Sequence, residues 1–174
     1  MRRNFVLIVL LVLSFSCGYH IEYRRKSLPD GSKKIYVEPF KNSTTTALVE
    51  NYFTDAIKQE FYSKKDIKLV SKDQADVIMK GVLQSIKLDG TAFNKTIYNL
   101  EAKEYLITMT VEVKLLDKSG QVIWNKLFSE QEIFNVFENI MKNESEHRKA
   151  ADRISKNMMK KVYDSIFEGF PDES

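Results

Sequence analysis

The residues that could do metal or acid–base chemistry are few and poorly placed for it. The chain has two histidines, and we expect His20 in a tether and His147 on the polar side of a helix. Neither has a cysteine, a second histidine or a carboxylate at the spacing of a metal site. Glu144 and Glu146 stand just before His147 and resemble part of a ligand cluster. Acidic side chains are favoured at the start of a helix in any case, because they complement the helix dipole. We therefore predict a solvated helix start, with no metal and no cofactor.

Sequence motifs for other catalytic chemistry are also missing. The six glycines are dispersed, so the chain has no phosphate-binding loop, and it has no G-x-S-x-G motif. Asp73 and Asp76 could act as paired carboxylates, but a turn before a strand explains them better. A secreted hydrolase would need a nucleophile beside a base, and the sequence offers no convincing pair. We predict that the protein is not an enzyme.

The one residue placed for covalent chemistry is Cys17, which follows a typical export signal. Arg2 and Arg3 precede an apolar run over residues 5–15. That run is shorter than the roughly 20 residues that span a bilayer as a helix. A short charged start before such a run is typical of a signal peptide, which we place at residues 1–16. A lone cysteine cannot form an internal disulfide, so its thiol needs another role.

Residues 13–17 resemble a bacterial lipobox, in which the cysteine thiol receives a diacylglyceryl group and becomes the new N-terminus. Ser16 fits the pattern, whereas Ser14 stands where leucine is preferred. We predict that Cys17 is the lipid anchor, and an ordinary signal peptide with an incidental cysteine is the alternative. In the lipoproteins that this pattern resembles, aspartate after the cysteine favours the inner membrane. Gly18 therefore permits sorting to the outer membrane.

The charge balance excludes one class of function. Removing residues 1–16 takes away two arginines and no acid, so the formal net charge falls from +3 to +1. A nucleic-acid binder usually has a pI above about 9 and a clustered basic face. The remaining 158 of 174 residues suit one domain. We place a lipidated tether at residues 17–32 and a single domain at residues 33–170.

Hydrophobic periodicity predicts an α+β fold, a two-layer sandwich with the element order β-α-β-β-β-α. The predicted strands cover residues 33–39, 77–88, 105–115 and 121–132, and the predicted helices cover residues 44–63 and 143–168. We expect a four-stranded, mostly antiparallel sheet with both helices on one face. A threonine at residues 44–46 would cap the first helix, and Asn143 with Glu146 would cap the second.

Two segments do not follow this periodicity. Residues 89–103 have no clean period, so we predict a loop of about fifteen residues, long enough to be functional or mobile. Residues 133–142 are unusually apolar and either fold into the core or form a docking surface, because exposed apolar patches mark interaction sites. Lys95 and Lys103 lie in the predicted loop, and Lys142 lies before the second helix. Their ammonium groups are either simply solvated or suited to a phosphorylated ligand.

Several short pieces of the chain match one known family in order. They are Cys17-Gly18-Tyr19-His20, Leu28-Pro29, residues 34–42 (KIYVEPFKN), residues 75–81 (ADVIMKG), residues 104–111 (EYLITMTV), residues 120–124 (GQVIW) and residues 168–170 (EGF). On these pieces the chain resembles the LptE family of lipopolysaccharide-assembly lipoproteins. The predicted β-α-β-β-β-α order agrees with the fold of that family.

This resemblance implies a non-enzymatic role. Members of the family sit inside the periplasmic end of the outer-membrane barrel LptD as a plug and assembly factor, and the pair inserts lipopolysaccharide into the outer leaflet. Basic residues in the family's loops at one end of the domain contact lipopolysaccharide phosphates, and by loop position Lys95 and Lys142 match them here. The resemblance thus implies LptD and lipopolysaccharide as partners. It also implies a lipid-anchored, periplasm-facing place at the outer membrane.

Another envelope adaptor, such as a lipoprotein that activates a peptidoglycan synthase, is the alternative function. Such an adaptor would favour a long disordered tether after the cysteine. Here about fifteen residues separate Cys17 from the first predicted strand, which limits the reach of the tether to roughly 50 Å. A short tether favours a partner within the membrane itself.

Overall fold

The computed structural model describes residues 27–95, 100–137 and 139–168, with only the backbone described for residues 91–95 and 100–103. In this part of the chain a sheet packs against two helices, which confirms the predicted α+β class. The strands are β1 Lys34–Val37, β2 Lys41–Asn42, β3 Lys68–Leu69, β4 Val77–Lys95, β5 Leu100–Leu116 and β6 Val122–Asn135; the helices are α1 Val49–Lys64 and α2 Ile140–Phe167.

The sheet is mixed, and most of its paired residues are antiparallel, as predicted. Its strand order is β3-β1-β4-β5-β6, with β2 beside β4. β1 runs parallel to β3 and β4, and β2 runs parallel to β4, whereas β4, β5 and β6 form an antiparallel meander. The predicted count of four strands is therefore corrected to six among the described residues. The two additional strands, β2 and β3, have two residues each, which is too short for any sequence period to reveal.

The largest correction concerns residues 89–103, which were predicted to form a loop. β4 and β5 stay paired out to Lys95 and Leu100, so residues 89–95 and 100–103 form the distal part of a long antiparallel hairpin. The register shifts between Gly90 and Ala92. Such a shift interrupts the two-residue period of a strand, so the alternation in the sequence is lost there. The backbone pairing therefore continues where the sequence pattern stops.

Helix α1 has the predicted apolar stripe but not the predicted cap. Its buried apolar residues are Val49, Phe53, Ala56, Ile57 and Phe61. The helix begins after Leu48, whose backbone is left-handed with a φ of 67° and whose side chain makes no capping bond. Thr44 was expected to cap the helix, and instead its hydroxyl bonds to the Asn42 side chain at 2.7 Å. A local turn thus competes with the cap for the same hydroxyl.

Helix α2 begins at Ile140, three residues earlier than predicted. Asn139 is the N-cap, and its side chain accepts a hydrogen bond from the Lys142 amide at 3.1 Å. Asn143, the predicted cap, lies in the first turn, where its side chain bonds to both backbone polar groups of Phe137 at 2.6 Å each. The predicted apolar stripe is confirmed, since its members are at most 1% exposed: Ala151, Ile154, Met158, Val162 and Ile166.

One hydrophobic core lies between the helices and the covered face of the sheet. A glycine inside a strand predicts a bulge or a close approach of another group. Close approach is confirmed at Gly81, where an added Cβ would lie 2.3 Å from the Phe40 ring. The Tyr163 hydroxyl donates to the Asp66 carboxylate at 3.0 Å and ties α2 to the segment after α1. No helix in the described ranges is both long and apolar enough to cross a bilayer.

The two ends of the sheet carry different parts of the chain. The anchor end holds the buried Leu28, the start of β4 and the turn between β5 and β6. The hairpin end holds the tip of β4 and β5, the end of β6 and the start of α2. Along β4, at about 3.3 Å per residue, Leu88 lies roughly 35 Å from Val77 and Lys95 roughly 60 Å. The segment that leads back to Cys17 therefore joins the domain far from the hairpin end.

Candidate functional site

An open apolar groove lies at the hairpin end, between the sheet and the first turns of α2. Its cavity volume is about 320 Å³. The lining residues are Leu88, Tyr105, Phe134, Val136, Ile140, Asn143, Glu144 and His147. Tyr105 and Phe134 are paired neighbours on β5 and β6, and Leu88 comes from β4. The residues from α2 recur at spacings of three and four, which places them on one face of the helix.

Aromatic contacts fix the floor of the groove. Phe134 is 8% exposed, and its ring stacks on Tyr105 with centroids 6.1 Å apart. The imidazole of His147 meets the Phe134 ring edge-on, with centroids 5.7 Å apart. Such paired rings stabilise one another beyond the area they bury. The groove is therefore a fixed feature of the fold rather than a gap between mobile side chains.

His147 was predicted to lie on the polar side of α2, and the structure corrects this. Its ring faces the groove and is half-buried, and its Nε2 atom is buried without a hydrogen-bond partner in the part of the chain described. Burial lowers the pKa of His147, because the charged ring would lose solvation. At neutral pH the imidazole is uncharged and adds ring surface to the groove.

The carboxylates near His147 do not form a ligand cluster. Glu144 pairs with Arg148 at 3.4 Å, and Glu146 pairs with Lys149 at 2.9 Å. The hydrogen bond from Lys149 holds the pKa of Glu146 below its usual value. In the three described ranges, no group of three histidine, cysteine, aspartate or glutamate side chains is placed to hold a metal ion. The carboxylates at the helix start thus form surface ion pairs.

The apolar segment 133–142 is divided between core and surface. Phe134 is buried in the core, whereas Ile133 is 55% exposed on the uncovered sheet face. Ile140 and Met141 are each 80% exposed in the first turn of α2. The core interpretation is therefore confirmed for Phe134, and the docking surface stays a prediction for the exposed residues. Exposed apolar side chains beside an apolar groove are typical of an interaction site.

Of the three predicted lysines, Lys142 lies beside the groove, whereas Lys95 and Lys103 lie further out on β4 and β5. The Lys142 ammonium lies 3.5 Å from the centre of the Phe137 ring and forms no ion pair with any described residue. Lys95 ends β4 and pairs with Leu100, and Lys103 lies in β5, both described by their backbone alone. The sequence did not predict that Leu88 and Tyr105 line the groove, because each has the pattern of an ordinary strand residue. Only the pairing of three strands places them beside α2.

The other predicted residues lie elsewhere. Cys17, Gly18 and His20 are outside the described residues. Asp76 lies in a cleft at the anchor end, where a hydrogen bond from the Lys118 ammonium at 2.7 Å lowers its pKa. Asp73 lies in a single helical turn just before β4. These aspartates form turn structure and a surface ion pair, not a pair of catalytic carboxylates.

The edge strand β6 is protected against pairing with another strand. Its helix-facing side carries charged residues that form hydrogen bonds with α2. Lys126 of β6 donates to Ser165 of α2 at 2.7 Å, and Arg153 of α2 donates to Glu132 of β6 at 2.7 Å. Inward-pointing charges on an edge strand disfavour strand addition, because a partner strand would disturb them. The groove is therefore the better candidate for binding than this edge.

Comparison with known proteins gives one family and several similar folds. The family model LptE, described as lipopolysaccharide-assembly, matches residues 32–168. No curated protein sequence matches the chain. Rare lipoprotein B from Shewanella oneidensis has a TM-score of 0.51 at 8% identity, covering 76% of this chain and 92% of its own. A hypothetical protein from Chlamydia trachomatis has a TM-score of 0.54 at 9% identity, covering 78% and 95%. At these identities the two structures show a shared fold alone.

Proposed function

Because this chain belongs to the LptE lipopolysaccharide-assembly family, we propose that it plugs the outer-membrane barrel LptD and assists its assembly. In this role the pair transports lipopolysaccharide and inserts it into the outer membrane. The observation that carries the proposal is the family match, which runs through almost every described element of the domain. The family is one of non-enzymatic lipoproteins, and we propose that this chain also acts by binding rather than by catalysis.

The anchoring of the protein is part of the same proposal. A lipidated Cys17 followed by Gly18 would hold the domain at the periplasmic side of the outer membrane. From Cys17 to Leu28, where the domain begins, the chain can span at most roughly 40 Å. That reach is comparable with the roughly 35 Å of β4 between the anchor end and the groove. The tether could therefore reach as far as the groove, but not as far as the tip of β4, which lies roughly 60 Å from the anchor end.

Lys95 and Lys142 are the proposed contacts to lipopolysaccharide phosphates. Both lie towards the hairpin end, although Lys95 is seven residues beyond the groove-lining Leu88 on β4. The Lys142 ammonium supports the proposal because it rests on the Phe137 ring and forms no direct ion pair with a described carboxylate, while Glu146 attracts it at longer range. Inside a partly dry barrel, an ammonium group attracts a phosphate more strongly than it does in water, because the effective dielectric constant is lower.

The first experiment is an affinity pull-down of the tagged, full-length protein from detergent-solubilised outer membranes. We expect a large barrel to co-purify in a stoichiometric amount. Recovery of the protein alone would contradict the plug function. Recovery with a peptidoglycan synthase would favour the envelope-adaptor alternative.

Charge reversal tests the two lysines. Lys95→Glu combined with Lys142→Glu should weaken lipopolysaccharide binding by about tenfold or more while the circular dichroism spectrum and Tm stay unchanged. Lys160→Glu is the matched control, because Lys160 is an exposed lysine on the same helix roughly 27 Å further along. Equal binding by the double variant and the control would remove the two lysines from the site.

A further inference from the structure

We propose that the apolar groove at the hairpin end holds one acyl chain of lipopolysaccharide, with Leu88, Phe134 and Ile140 as principal contacts. The identity of the lipid rests on the proposed function, whereas the chemistry of the groove rests on its lining. Five of the eight lining residues have aliphatic, phenyl or phenol side chains, and they come from β4, β5, β6, the connection after β6 and α2.

Two polar side chains of the groove already have partners, whereas the Nε2 atom of His147 has none among the described residues. The groove therefore offers few hydrogen-bonding groups, which favours an alkyl chain over a peptide. The Asn143 side chain is bonded to Phe137, and the Glu144 carboxylate is paired with Arg148. A peptide backbone in the groove would find few partners for its N–H and C=O groups, and each unpaired group costs free energy. An acyl chain has no polar group along its length and meets no such cost.

The size of the groove fits one chain rather than a whole lipid. Its volume of about 320 Å³ lies at the lower end of the range for small-ligand pockets, roughly 300–1,000 Å³. The groove is open, so the rest of a large amphiphile can remain outside it. The exposed side chain of Ile140 extends the apolar surface at the rim.

A cation stands beside the groove where the charged part of the same lipid would lie. Lys142 is two residues after Ile140 on α2, and its ammonium rests on Phe137, which follows the groove-lining Val136. The Glu146 carboxylate attracts this ammonium at longer range but forms no direct ion pair with it. An apolar groove next to such an ammonium group is complementary to an anionic amphiphile. A neutral lipid would use the groove and leave the cation unused.

The test compares two substitutions in the first turn of α2. Ile140 lines the groove and Met141 does not, although both side chains are 80% exposed. Ile140→Glu should weaken binding of lipopolysaccharide to the full-length protein in non-ionic detergent by about tenfold or more. Met141→Glu should change it by less than about twofold. Glutamate is favourable in the first turn of a helix, so both variants should fold. Equal losses in the two variants would overturn the groove assignment.

Three further measurements decide what occupies the groove. Fully deacylated lipopolysaccharide, which keeps its phosphates, should bind wild type and Ile140→Glu equally weakly; a large difference between them would contradict an acyl-chain site. Phosphatidylglycerol should compete poorly, and competition equal to that of lipopolysaccharide would overturn the choice of lipid. Loss of the co-purifying barrel from Ile140→Glu with unchanged lipopolysaccharide binding would make the groove a protein contact instead.

A crosslinking experiment in cells provides independent support. A photo-crosslinking benzoylphenylalanine placed at Leu88 should capture lipopolysaccharide, whereas the same residue at Leu127, which is 61% exposed on the other sheet face, should not. Crosslinking from both positions, or from neither, would contradict the proposal. Absence of the barrel from the pull-down would refute the proposed function. The acyl-chain proposal would still be tested separately, by the binding and crosslinking comparisons.

Discussion

The second half of α2 is buried, whereas its first two turns leave large apolar side chains in solvent. Ile154 and Met158 are fully buried, and Ile140 and Met141 on the same helix are each 80% exposed. This difference in exposure arises because α1 covers the later turns of α2 and not the first ones. α1 packs against the later turns of α2, as the contact between the rings of Phe61 and Tyr163 at 5.3 Å shows. No residue of α1 lines the groove at the first turns.

This contrast separates residues that stabilise the fold from residues that are available for binding. The buried half of α2 gains free energy from the apolar surface that it removes from water. The first turns gain little of that free energy, yet they contain Ile140 and Met141 at exposed positions where polar side chains would support folding equally well. Apolar side chains that do not serve the core indicate a surface that serves a ligand or partner.

The largest expected effect comes from the same substitution made in each half of the helix. Ile154→Ala should lower the free energy of unfolding by about 2–5 kcal/mol, because it removes packed methyl groups and leaves a cavity. Ile140→Ala should lower it by less than about 0.5 kcal/mol. Urea denaturation of the two variants measures both values. A similar loss in each would show that the first turn is part of the folding core.

A smaller effect is expected from adding a methyl group in each region. Gly81→Ala would place a Cβ on the Phe40 ring and should cost about 1–3 kcal/mol of unfolding free energy. Val136→Ile in the open groove should change stability by less than about 0.5 kcal/mol. Thermal denaturation checks both variants, and combining Gly81→Ala with Phe40→Leu should recover part of the loss. No recovery would mean that the Phe40 contact is not the cause.

The smallest expected effect is a pH dependence of folding stability, caused by the titration of His147 in the groove. The pKa of His147 is lower in the folded chain than its ordinary value of 6.5, so the folded state binds this proton less readily than the unfolded state. Stability is therefore retained above pH 6.5 and should fall as the pH drops towards the folded-state pKa. His147→Gln should flatten the dependence of Tm between pH 7 and 5, and His20→Gln should not. An unchanged slope in His147→Gln would place the titration elsewhere.

The regular parts of the fold could be predicted from the sequence because their periods are local. The alternation along β5 and the apolar stripe of α2 both appear in the structure as predicted. The helix starts were predicted less well. Asn139 and Asn143 are equally suited to cap α2 by residue type, and only the contact of Asn143 with Phe137 decides between them.

The candidate site was predicted only in part. Residues 133–142 and Lys142 were singled out by their composition, and both lie at the hairpin end. His147 was placed on the wrong face, because the stripe that starts at Ala151 gives no sign that the helix already packs one turn earlier. The groove itself needs residues from β4, β5, β6 and α2, which are up to 59 positions apart between Leu88 and His147.

The sequence by itself determined the fold class, the apolar stripes, the turn between β5 and β6 and the absence of a catalytic motif, since each depends on residue types within a few positions of one another. Tertiary structure decided the mixed pairing of the sheet, the long hairpin and the exposure of Ile140 beside a groove. These depend on which segments meet in space. The free energy of such contacts depends on residues that are distant in the sequence, so no local pattern predicts it. A one-residue register shift is also enough to interrupt the two-residue period by which a strand is recognised in a sequence.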